Sequence, residues 1–136
     1  MESRCLTLSN KLLGNKFEQT VTDYLSAHKF WVHRLVQNQS GQPADIIAAR
    51  NGKAYLIDCK ACTTPYFDLS RIELNQELAM KKWRDCRNGE GLFCIGFDEN
   101  IYMLKLSAFS KTRLTKITEL FCKLNGNLIE DWVKLC

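Results

Sequence analysis

The sequence lacks any apolar stretch long enough to cross a bilayer as a helix, and it has no internal repeat, low-complexity segment or linker. These absences exclude a membrane-spanning helix and a repeat architecture, and they leave one domain over residues 1–136. That length buries a real core without disulfide staples. Histidine is scarce: His28 and His33 are the only two. Both lie far upstream of Cys59-x-x-Cys62, and no second ligand pair with zinc-like spacing follows that motif. No long apolar run follows Met1-Glu2-Ser3-Arg4, so a signal peptide is not expected and a cytoplasmic location is. The seven cysteines, an odd number, are then expected as free thiols in a reducing compartment, mostly filling core space. The net charge of +4 permits a nucleic-acid partner without demanding one. An aromatic-rich RNA-binding sheet motif is absent.

What is present is a regular alternation of helical and extended patterns. Ser9 or Asn10 is placed to cap a helix running to about Ala27, with Leu13, Phe17, Val21, Tyr24 and Leu25 as its buried stripe. Trp31 to Val36 reads as a strand with Trp31, His33 and Leu35 on one face, and Gln37 to Gln42 as a polar loop. Ala44 to Arg50 and Lys53 to Lys60 form a hairpin around Asn51-Gly52, because both central positions of that two-residue turn need positive φ. Ala61 to Ser70 is expected as a loop broken by Pro65. Ile72 to Cys86 is expected as a helix with Ile72, Ala79, Trp83 and Cys86 on one face and Leu78 beside them. Leu92 to Phe97 and Ile101 to Leu106 are further strands. The tail from residue 107 to 136 is expected as helical pieces near Thr112–Leu124 and Leu128–Leu135. This order predicts an α/β protein with a central mixed sheet flanked by helices.

The chemistry concentrates at the hairpin. Alternation on a strand points Asp58 and Lys60 to one face and turns Cys59 away, beside Ile57. Asp45, near the start of the partner strand, can face them across the ladder. Two carboxylates hold a divalent ion such as Mg²⁺ at oxygen-rich positions, and the carbonyl of Cys59 can add a ligand. The metal lowers the pKa of a water, and Lys60 stabilises charge in the transition state. The pattern therefore reads first as a nuclease using metal-activated water on a phosphodiester.

Pro43-Ala44-Asp45 followed by Asp58-Cys59-Lys60 resembles the PD-(D/E)xK nuclease signature. Gly14-Asn15-Lys16-Phe17-Glu18 resembles the first-helix motif of that fold, in which an acidic residue projects toward the metal site. Ser40-Gly41-Gln42-Pro43-Ala44-Asp45 is similar to the wording of small Holliday-junction resolvases of archaea, Gram-positive bacteria and their phages. Arg71-Ile72-x-x-x-Gln76 resembles the start of the helix after their catalytic strands. The resemblance covers residues 10 to 106. It implies a restriction-endonuclease-like core, Mg²⁺ with Mn²⁺ able to substitute, and cutting of branched DNA by a homodimer. It implies that Glu18 completes or orients the metal shell, directly or through water, and that Gln76 positions a water or a phosphate. A phage origin suits so compact an enzyme. Asp58 departs from the glutamate more usual before x-Lys, and there is no room for the protruding insertion of some bacterial resolvases.

Bland readings stand beside these. Asp45 can simply begin a strand, Asp58 and Lys60 can be a structural pair, and Glu18 and Gln76 can be helix-surface residues. Of the basic groups, Lys16, Arg34 and Arg71 are the best candidates for DNA phosphates. Three rivals remain: a nickase, restriction-type or repair nuclease on the same core; a non-catalytic DNA-binding module; and a zinc or redox protein using Cys59 and Cys62.

Overall fold

In a computed structural model, residues 2–36, 44–110 and 112–136 are described, with side chains from residue 12 onward. The expected loop at Gln37 to Gln42, Pro43 of the Pro-Ala-Asp motif, and Lys111 lie outside the described residues. Helix α1 (Glu2–Ala27) leads into β1 (Trp31–Arg34), β2 (Ile46–Arg50) and β3 (Lys53–Ala61). A short β4 (Tyr66–Asp68) and a 3₁₀ turn (Leu69–Arg71) precede α2 (Leu74–Asp85), which crosses over to β5 (Leu92–Gly96) and β6 (Ile101–Lys105). The chain ends in α3 (Ser107–Ser110), β7 (Lys116–Thr118), α4 (Glu119–Asn125), β8 (Asn127–Leu128) and α5 (Ile129–Leu135). No helix among the described residues is long and apolar enough to cross a membrane.

The main sheet has six strands in the order β1-β2-β3-β5-β6-β8, and a second sheet pairs β4 with β7. Only β3 and β5 run parallel in the main sheet, which is what the α2 crossover requires. The hairpin forms as its turn dictates: Asn51 and Gly52 have φ of 55° and 77°, and Arg50 pairs with Lys53. Both faces of the sheet are packed. On the first, Val21 and Leu25 of α1 and Ile129, Trp132 and Val133 of α5 bury against Ile46, Ile57 and Cys94. On the second, Met80, Phe67, Ile117 and Cys122 bury against Leu56, Phe93, Ile95 and Leu104.

The structure corrects several sequence expectations. Helix α1 continues past Ser9 and Asn10 to Glu2, so neither ends it; no breaker interrupts the preceding residues. The expected loop at Ala61 to Ser70 contains the end of β3, β4 and the 3₁₀ turn, because Phe67 pairs with Ile117 from the tail. In α2 the buried residues are Gln76 and Met80, whereas Leu78 and Cys86 are exposed. The tail adds strands as well as helices, and α5 closes the first core. The core therefore extends past residue 106 into the tail.

Candidate active site

Asp45 is fixed where the hairpin opens. Its N–H donates to Ile57 O at 3.0 Å, its carbonyl accepts from the Leu35 N–H at 2.8 Å, and its Oδ2 accepts from the Cys59 N–H at 2.7 Å. Ile46 lies opposite Ile57 and Ile47 opposite Leu56, so strand alternation puts Asp45, Asp58 and Lys60 on the second face. Asp58 is 1% exposed. Its Oδ1 accepts from Gln76 Nε2 at 3.1 Å. Lys60 Nζ lies 3.1 Å from its Oδ2, an ion-pair contact outside hydrogen-bond geometry, and Oδ2 is left buried without a hydrogen-bond donor. Burial first, and then the charge of Asp45, push Asp58 up to about 8 against the lowering influence of Lys60.

Gln76 is held from both ends. Its Oε1 accepts from the Glu73 N–H at 3.1 Å while its Nε2 holds Asp58, and the Glu73 side chain accepts from the Gln76 backbone in return. This capping box at the start of α2 was legible as Glu73-x-x-Gln76, and it sets the orientation of the Gln76 amide. Glu18 stands at the edge of the site, half-buried. Burial and the Asp45 charge raise its pKa, and Arg34 lowers it.

Arg34 is engaged rather than free. Its Nη1 donates to Gln19 Oε1 at 2.8 Å and its Nη2 to Asn15 Oδ1 at 2.7 Å, with Glu18 Oε1 at 3.4 Å. It fastens β1 to the α1 turn that carries Glu18. Asn15 and Gln19 flank Glu18 on that helix, a spacing visible in the sequence once β1 is known to face it. Lys16 and Arg71 line two adjoining grooves of about 500 and 370 Å³ that share Leu13, Ala61 and Thr63. Arg71 also donates to Ala61 O at 2.9 Å and lies over the Phe67 ring. Cys59 turns to the first core, where a hydrogen bond with Cys94 and then burial hold its thiol well above the usual range. Burial also raises the Cys62 thiol, the opposite of an activated thiol.

The donor set fits a hard divalent cation. Two carboxylates lie side by side, and one buried oxygen lacks a donor. Among the described residues there is no group of three or more His, Cys, Asp or Glu side chains able to enclose a metal. A cation here would thus draw on two carboxylates and otherwise on backbone or water oxygens, as Mg²⁺ commonly does.

This is the mixed α/β fold, a central mixed sheet flanked by helices, that the sequence resemblance implied. Among solved structures it is similar to Hjc, a Holliday junction resolvase from Archaeoglobus fulgidus, with a TM-score of 0.71 over 88% of this chain and 99% of that one. The two chains are 17% identical, so the likeness is one of fold. No family model matches the sequence, and no curated protein matches it.

Proposed function

We propose that this protein is a divalent-metal-dependent endodeoxyribonuclease acting on branched DNA, in the manner of a Holliday-junction resolvase. The observation that carries the reading is the pairing of Asp45 with the buried Asp58, whose Oδ2 lacks a hydrogen-bond donor and has Lys60 Nζ 3.1 Å away. Asp45, Asp58 and the Cys59 carbonyl would hold Mg²⁺ or Mn²⁺, with Glu18 reaching it through water. When bound, the cation supplies acidification of water and neutralisation of phosphate charge. The chain's own residues do the rest. Gln76 holds Asp58 Oδ1, which leaves Oδ2 for the site. Lys60 Nζ donates to the attacking water and to the non-bridging phosphate oxygen on which charge grows. Arg34, through Asn15 and Gln19, keeps the Glu18 turn seated on the sheet. Lys16 and Arg71 line grooves beside Ala61, at the end of the strand that carries Lys60, and contact backbone phosphates. Two symmetric cuts in a four-way junction require two copies of the chain, related by a two-fold axis.

The test is cleavage of a labelled four-way junction and a matching linear duplex with Mg²⁺, Mn²⁺ or EDTA, alongside Asp58→Ala. Paired, metal-dependent nicks in the junction alone, lost in the variant, are expected. Equal cutting of both DNAs would keep the site and move the function to a general nuclease. Binding without cutting under every metal would refute the enzyme and favour a DNA-binding module.

A further inference from the structure

A second feature lies on the same sheet face as the two carboxylates. In β1, Trp31 pairs with Ala49 and His33 with Ile47, so both side chains lie on the face that carries Asp45 and Asp58. Met80 of α2 and Ile117 of β7 bury against the inner strands of this face, and neither Trp31 nor His33 joins that cluster. Trp31 is 63% exposed, whereas Trp132 is 7% exposed. Its ring stacks on the exposed His33 ring, with 5.9 Å between centroids and 12° between planes. The stack fixes the indole and presents one flat aromatic surface. The neighbours across the ladder, Ala49 and Ala54, are small and raise no obstacle.

The shelf is aligned with the site. The Leu35 N–H donates to Asp45 O, so Leu35 sits beside the carboxylate, and His33 and Trp31 follow on the same strand face. At ~3.4 Å per residue, Trp31 lies about 14 Å from that point. That is the reach of a few nucleotides, at ~3.4 Å of axis rise each.

We propose that Trp31 and His33 form a stacking platform for an unpaired or splayed base of a DNA strand whose backbone crosses Asp45 and Asp58. A single flat ring surface suits a base, since every base has a π-face. A branch point supplies bases that have lost a stacking neighbour, which lowers the cost of splaying them. This inference rests on the nuclease reading and assigns that site a second contact for its substrate.

The test uses the full chain in EDTA with a four-way junction and a linear duplex of the same arm sequence. Wild type, Trp31→Ala and Trp31→Phe are compared by fluorescence anisotropy, tryptophan emission and sedimentation, with wild-type and variant cleavage in Mg²⁺ alongside. Trp31 is exposed, so neither substitution threatens the core. Junction DNA should quench the red-shifted emission of wild type. Trp31→Ala should weaken junction binding about tenfold, leave duplex binding unchanged, and be rescued by Trp31→Phe. Unchanged junction binding by Trp31→Ala, with wild type still cutting, overturns the platform and leaves the nuclease reading intact. Equal losses on junction and duplex overturn base stacking. A change from two copies to one in Trp31→Ala would make the shelf a self-contact and overturn the proposal. Failure of wild type to bind or cut any DNA overturns the nuclease reading and the platform together.

Discussion

Replacing Asp58 by asparagine removes an ionisable group that the fold encloses almost completely. Burial, reinforced by Asp45, raises that group from 3.8 to about 8. Above pH 3.8 the unfolded chain releases its proton while the folded chain keeps it, so the folded state binds more protons and stability falls as pH rises. The stabilising effect of holding the proton is complete below 3.8 and is lost as pH climbs through about 8. At ~1.36 kcal/mol per pH unit, the metal-free protein gives up on the order of 4 kcal/mol by neutral pH. The asparagine amide stays neutral throughout, and its oxygen still accepts from Gln76. Asp58→Asn and wild type should therefore melt together near pH 4 and diverge toward pH 8, with the variant higher by roughly 10 °C. Millimolar Mg²⁺ should raise wild type and leave the variant where it is, because a cation beside Asp58 favours the ionised carboxylate. Thermal melts by circular dichroism across pH 4 to 8, with EDTA or Mg²⁺, measure this. Parallel melting curves for the two proteins at every pH would refute the argument that Asp58 is held protonated by its surroundings.

Other consequences follow from the same contacts. Lys60→Met removes the cation 3.1 Å from Asp58 Oδ2, and should reduce single-turnover junction cleavage by about 100-fold or more while binding measured in EDTA changes little. Gln76→Ala breaks both the α2 capping box and the hydrogen bond to Asp58, for an expected loss of about 1–2 kcal/mol in urea unfolding and a larger loss of kcat than of KM. Trp132→Ala empties part of the first core and should cost about 3–5 kcal/mol by the same assay, which a tail merely appended to the fold would not show. The exposed Cys86 should react with a thiol reagent in the folded protein, whereas the buried Cys94 should react at the rate of unfolding and the half-buried Cys59, its thiol held above the usual range, should lag well behind Cys86; labelling of Cys59 as fast as Cys86 would revive the redox reading.

Much of the site was legible in the chain because it is written in local rules. Asn51-Gly52 sets the hairpin by its positive φ, the hairpin sets which residues face one another, and alternation then places Asp45, Asp58 and Lys60 together and Cys59 apart. The apolar spacing of α1 likewise names Val21 and Leu25, which bury fully, though it also names Leu13, which stays exposed. Such features depend on neighbours within a few residues, so a sequence determines them by itself. What only the tertiary structure decided depends on partners far along the chain. The three-residue strands β4 and β7 stabilise each other through pairs such as Phe67 with Ile117, and neither has enough residues to show a period alone. Arg34 reads in the sequence as a free cation for phosphate, yet three α1 side chains meet it only after β1 packs against that helix. The raised pKa of Asp58 is likewise absent from the sequence: it is set by burial and by the charges of Asp45 and Lys60 around it, which come together only once the sheet has closed.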